Sequence, residues 1–83
     1  MKSIYIIKTT HYYGDGNDKE EMVNSTVYLT SDKARRAFNS LMTMYEKICD
    51  YKVIACTGKT AKLTKEVAGR EWKTYITIYE FEF

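Results

Sequence analysis

The chain has 83 residues, of which 45% are hydrophobic and 29% charged, a balance that suits one small domain with a modest core and excludes a disordered segment. The net charge of +2 is too small to imply nucleic acid by itself. Two cysteines, Cys49 and Cys56, are too few for a disulfide framework and form no CxxC pair, so both read as reduced thiols.

The apolar run at residues 4–7 is shorter than the ~7–15 residues of a signal-peptide core, and nothing approaches the ~20 apolar residues of a membrane span. The expectation is a cytoplasmic protein without membrane contact. Asn24-Ser25-Thr26 matches the glycosylation sequon, which carries no meaning without a secretory leader.

Residues 2–10 are rich in β-branched side chains and tyrosine and read as a first strand. His11-Tyr12-Tyr13 then leads into Gly14-Asp15-Gly16-Asn17-Asp18, whose glycines and asparagine suit a loop. Residues 22–29 read as a second strand. Thr30-Ser31-Asp32 is a helix start, because a hydroxyl or carboxylate there accepts amide hydrogens of the first turn. The helix is predicted over residues 32–48, with Ala34, Ala37, Phe38, Leu41, Tyr45 and Ile48 on one stripe.

Asp50 is a turn and residues 51–57 a third strand. Residues 58–69 form a Lys- and Thr-containing connection that holds either a short strand or a helical turn. Residues 71–83 alternate clearly and form a long last strand. There is no proline and no internal repeat. The order β-β-α-β-β gives the α+β class: a single domain over residues 1–83, with an antiparallel sheet of four to five strands and one helix on one face.

Alternation places Trp72, Ile76 and Ile78 on one side of the last strand and Tyr75, Tyr79, Phe81 and Phe83 on the other. Ile4, Ile6, Val27 and Leu29 are assigned to the helix side. Tyr5, Ile7, Tyr28, Tyr75, Tyr79 and Phe81 then form an aromatic face that a single helix does not reach. A helix is ~10 Å across, whereas four strands span ~19 Å. Four readings remain open for that face: the connection of residues 58–69 folded back, tyrosines lying flat with their hydroxyls in water, a second copy in a homodimer, or a separate protein or nucleic acid.

Positive charge concentrates in residues 51–73, where Lys52, Lys59, Lys62, Lys65, Arg70 and Lys73 face only Glu66 and Glu71. Such a cluster either contacts phosphates or keeps a connection soluble. Beside tyrosines on an open sheet it suits single-stranded RNA or DNA, although the RNP1 signature of RRM domains is absent. Arg35 and Arg36 are read as exposed helix residues.

Gly58-Lys59-Thr60 lacks the glycine five residues earlier that a phosphate loop needs, since Val53 stands there. The acidic residues Asp15, Asn17, Asp18, Glu20 and Glu21 do not fit a calcium loop, which needs glycine where Glu20 stands. His11 is read as a surface histidine, and the cysteines as packing residues. No nucleophile–base pair, carboxylate pair or metal set is discernible, so the expectation is no enzyme, no cofactor and no metal.

Met1-Lys2-Ser3-Ile4-Tyr5-Ile6-Ile7-Lys8 and Asp32-Lys33-Ala34-Arg35-Arg36 resemble the corresponding starts of small phage-encoded proteins, anti-CRISPR proteins among them. The resemblance spans about thirteen residues and is one of pattern, so no contact residue is carried over. It implies a protein, in the host cytoplasm, that disarms a host machine by occupying a surface. The expected function is thus a non-enzymatic inhibitor or adaptor that blocks a host defence or toxin protein or a ribonucleoprotein. The alternative is a small RNA- or single-stranded-DNA-binding module using the same residues.

Overall fold

A computed structural model of the chain describes residues 2–13 and 19–83, with side chains described outside residues 13 and 19–24. The Gly14–Asp18 segment, with Asp15, Asn17 and Asp18, lies outside the described residues, as do the side chains of Glu20 and Glu21. The chain runs β1 (Ser3–Tyr13), β2 (Lys19–Tyr28), α1 (Ser31–Lys47), β3 (Lys52–Cys56), β4 (Thr60–Val67) and β5 (Arg70–Glu82). All described neighbours pair antiparallel in one five-stranded sheet of order β2-β1-β5-β4-β3.

Strand β1 extends three residues past the sequence expectation, through His11 and Tyr12 to Tyr13, where it pairs with Thr74, Lys73 and Trp72 of β5. Helix α1 begins where Thr30, in extended conformation, accepts the Lys33 amide hydrogen at 3.2 Å. Its stripe is carried by Ala34, Phe38 and Tyr45, which are buried, with Ala37 and Leu41 half-buried beside them. Ile48, expected on the stripe, is instead the C-terminal cap and is exposed, because the helix has ended.

The connection of residues 58–69 is neither a cover nor a helical turn. It contributes β4, joined to β3 at Thr57–Thr60 and to β5 through Ala68 and Gly69. The Thr57 hydroxyl accepts from the amides of Lys59 and Thr60 at 3.2 and 3.0 Å, which closes the first turn. Ala68 and Gly69 both have positive φ, 53° and 78°. That is the pattern of a two-residue hairpin whose twist matches its strands.

Paired residues share a face, so the register sorts the side chains. Tyr5, Ile7, Thr9 and His11 of β1 lie with Trp72, Thr74, Ile76 and Ile78 of β5, Ala61, Leu63 and Lys65 of β4, and Thr26 and Tyr28 of β2. This is the side that α1 covers, where Ile7, Phe38, Leu63 and Ile76 form the core. Tyr5, Ile7 and Tyr28 were expected on the open face; Ile7 is 2% exposed, and Tyr5 and Tyr28 pack against the core. Conversely, Ile4, Ile6 and Val27 lie on the face away from the helix. A one-residue change of phase moves a whole strand's side chains between faces. Leu29 lies past the end of β2 and is exposed.

Leu63 is fully buried, and Leu63→Ala is expected to cost ~2–5 kcal/mol in chemical denaturation. The Thr9 hydroxyl is buried without a hydrogen-bond partner. Thr9→Val, which keeps the shape and removes that oxygen, is expected to raise stability by about 1 kcal/mol, read as an upward shift in the denaturation midpoint at constant slope.

Candidate binding face

The face away from α1 is built by the central pair β1 and β5, flanked by β2 and β4. Alternation along β1 turns Ile4, Ile6, Lys8, Thr10 and Tyr12 to this side. Along β5 it turns Lys73, Tyr75, Thr77, Tyr79 and Phe81 there, and along β4 Thr60, Lys62 and Thr64. Phe83 continues the β5 phase, tied to Lys2 by amide–carbonyl bonds of 2.9 and 2.8 Å. Among the described residues no element packs against this face.

The register divides it into two halves. At one end Ile4 sits opposite Phe81 and Ile6 opposite both Tyr79 and Val27. Tyr79 is 44% exposed, Phe81 51% and Phe83 70%. At the other end Lys8 sits opposite Thr77, Thr10 opposite Tyr75, and Tyr12 opposite Lys73. There the rings of Tyr12 and Tyr75 meet edge to face with centroids 5.2 Å apart. Lys62 Nζ stands 5.7 Å from the centre of the Tyr75 ring. Lys73 Nζ is 3.5 Å from the Glu71 carboxylate.

The six basic residues singled out by sequence do not form one patch. Lys62 and Lys73 are on the open face, and Lys52 is exposed at the start of the edge strand β3. Lys59 is in the β3–β4 turn and Arg70 at the β4–β5 turn, which are opposite ends of β4. Lys65 is on the helix side. Its Nζ lies 4.6 Å from the ring centre of Tyr51 and 5.0 Å from that of Trp72, and donates to the Cys49 carbonyl at 3.0 Å. A spacing of three in sequence becomes opposite faces in a strand of period two.

Sequence reasoning missed Val27 of β2 and, on β1, the open-face residues Ile4, Ile6, Lys8 and Tyr12. The common even numbering of the four on β1 is the signal that could have found them, once β1 was phased against β5, and Val27 follows as the partner of Ile6.

Behind the half that carries Tyr12 and Tyr75, on the helix side, lies a polar cluster. His11, expected at the surface, is buried: its Nδ1 is 2.6 Å from the Thr74 hydroxyl and its Nε2 3.2 Å from the Tyr45 hydroxyl. The Tyr45 ring meets the rings of His11 and Tyr51 at centroid distances of 5.5 and 5.6 Å. His11 and Thr74 directly adjoin Tyr12 and Tyr75 in the chain, so this cluster fixes the backbone that presents the two open-face rings.

Cys49 and Cys56 are free thiols, with Cys56 Sγ 3.5 Å from Met42 Sδ. Among the described residues no group of three or more His, Cys, Asp or Glu side chains is placed to hold a metal ion. No described helix is long and apolar enough to cross a membrane. No protein family, curated protein or solved structure matches this chain.

Tyr45→Phe removes the hydroxyl at His11 Nε2 while keeping the ring. It is expected to lower stability by about 1–3 kcal/mol, because the imidazole is left with a buried nitrogen short of that partner. Equilibrium denaturation of the variant against the parent protein checks this.

Proposed function

We propose that the protein is a non-enzymatic inhibitor or adaptor that docks the open face of its sheet onto a macromolecular partner and blocks a surface there. A host defence or toxin protein, or a ribonucleoprotein, is the class of target. The observation that carries this reading is the apolar half of the open face. Ile4, Ile6, Val27, Tyr79, Phe81 and Phe83 run across three neighbouring strands, with the three aromatics about half-exposed or more.

A fully buried aromatic side chain removes ~150–250 Å² from water. Three rings at the exposures found therefore present roughly 300 Å² before the aliphatic residues are added, within the ~300–600 Å² that marks a monomer's largest patch. Such a patch is stabilised by docking against a complementary apolar surface, and tyrosine is favoured there because its hydroxyl stays satisfied in water or at a polar rim.

The paired variant Tyr79→Ala with Phe81→Ala leaves the helix-side core untouched. It is expected to fold with an unchanged far-ultraviolet spectrum and to lose partner capture by at least tenfold, measured by affinity capture from a bacterial lysate with and without nuclease. Sedimentation of the unaltered protein reads the homodimer as a separate outcome: a dimer abolished by the same pair assigns the patch to a second copy. Capture and oligomeric state both unchanged would place the docking surface elsewhere.

A further inference from the structure

We propose that the apolar half of the open face receives an amphipathic helix of a protein partner, about 14 residues long and acidic at both ends, seated along β1 between Lys2 and Lys8. This rests on the docking reading above and names the chemistry of the partner.

The charges bordering this half have one sign. Lys8 sits opposite Ser25 on β2 and Thr77 on β5. Lys2 exchanges amide–carbonyl bonds of 2.9 and 2.8 Å with Phe83 and so shares its face. Ile4 and Ile6 lie between the two lysines on β1, the middle strand of β2, β1 and β5. Alternation turns Glu80 and Glu82, the partners of Tyr5 and Ser3, to the helix side. The acidic residues that pair on the open face are Glu20, opposite Tyr12, and Glu66, opposite Glu71. They belong to the other end of the sheet, the Tyr12 position being about 14 Å beyond Lys8 along β1. The result is an apolar strip with a lysine at each end and, among the described residues, no carboxylate within it.

Shape selects a helix. The strip covers three strands, whose outer axes lie ~10 Å apart, and runs ~20 Å from Lys2 to Lys8. A helix is ~10 Å across and rises ~1.5 Å per residue, so ~14 residues fill the strip. A helix also keeps its backbone hydrogen bonds to itself. An extended segment laid on a sheet face would find no backbone partners, because strand addition needs a sheet edge. Helix α1 occupies the reverse of the same sheet in this way, where Ala34 and Phe38 join Ile7 and Ile76 in the core. A second copy fits less well. Laid strip on strip about a two-fold axis through β1, two copies set Lys2 against a lysine or an isoleucine of the other copy. Neither supplies the carboxylate that an acidic helix end brings.

Fluorescence anisotropy with two labelled peptides tests this. Each has about 14 residues, a leucine stripe at helical spacing and one side-chain lactam, since a free helix of that length is marginal in water. One carries Glu at both ends and the other Lys. The Glu-ended peptide is expected to bind the parent protein at least about tenfold more tightly than the Lys-ended one. Lys8→Glu is expected to abolish that preference, and Lys2→Glu with Lys8→Glu to reverse it. Lys62→Glu, on the other half, is expected to leave both affinities within about twofold at physiological salt. Serine in place of the leucines is expected to abolish binding. Should the charge variants compromise folding, the two peptides against the parent protein carry the test alone.

Equal affinity for the two peptides, or binding of neither, would overturn the proposal. Phosphatidylserine vesicles bound by the parent protein and released by Lys8→Glu, with neither peptide bound, would assign the strip to a lipid surface instead. A dimer abolished by Tyr79→Ala with Phe81→Ala would assign it to a second copy. Lysate capture lost in that pair, with neither peptide bound by the parent protein, overturns the helix and leaves the docking reading standing. The Glu-ended peptide bound by the parent protein and lost in that pair, with lysate capture unchanged, supports the helix site and overturns the docking reading of the captured partner.

Discussion

One helix about 10 Å across lies on a sheet whose five strands span about 24 Å, and this mismatch shapes the whole molecule. Helix α1 can seal only one side, so the chain has a single apolar core. That core lies where Ala34 and Phe38 meet Ile7, Leu63 and Ile76. Among the described residues, the large side chains that alternation turns the other way have no element packed over them. The sheet is wider than its four certain strands required, because the segment that could have folded over the open side is instead spent in the plane as β4.

That placement of β4 also decides the electrostatics. Lys62 and Lys65 are three residues apart, yet the strand sends them to opposite faces. Lys65 closes the gap between the helix end and the sheet, where Tyr51, Trp72 and the Cys49 carbonyl receive its ammonium group. It is a structural lysine. Lys62 stands over an open tyrosine instead. A count of positive charge along the segment treats the two alike, and only the register separates a lysine packed under the helix from one on the open face.

Much of the fold was legible. The helix start at Thr30, the stripe through Ala34, Phe38, Leu41 and Tyr45, and the alternation of β5 are local patterns of fixed period. What was not legible depends on pairing. The phase of β1 is ambiguous because Tyr5 and Ile7 are as apolar as Ile4 and Ile6, and only their partners Glu80 and Ile78, against Phe81 and Tyr79, decide which pair faces the helix. The hairpin into β5 was hidden because its left-handed positions hold Ala68 and Gly69 rather than Asn-Gly. His11 looked like a strand-end surface residue because β1 was expected to stop at Thr10, whereas it runs on to Tyr13 and sets His11 beside Thr74.

The buried polar cluster and the open tyrosines are two sides of the same few residues. His11 and Thr74 point into the core and are joined at 2.6 Å. Their chain neighbours Tyr12 and Tyr75 point out and touch at 5.2 Å. A buried polar network of this kind restricts the register in which β1 and β5 can meet, since a slipped strand would bring an apolar side chain against the imidazole and leave its nitrogens without partners. The same restriction sets where the two outer rings stand relative to Lys8, Lys62 and Lys73. The polar interior thus acts through position: it fixes the placement of outer rings that the apolar core, tolerant of sliding, would specify less closely.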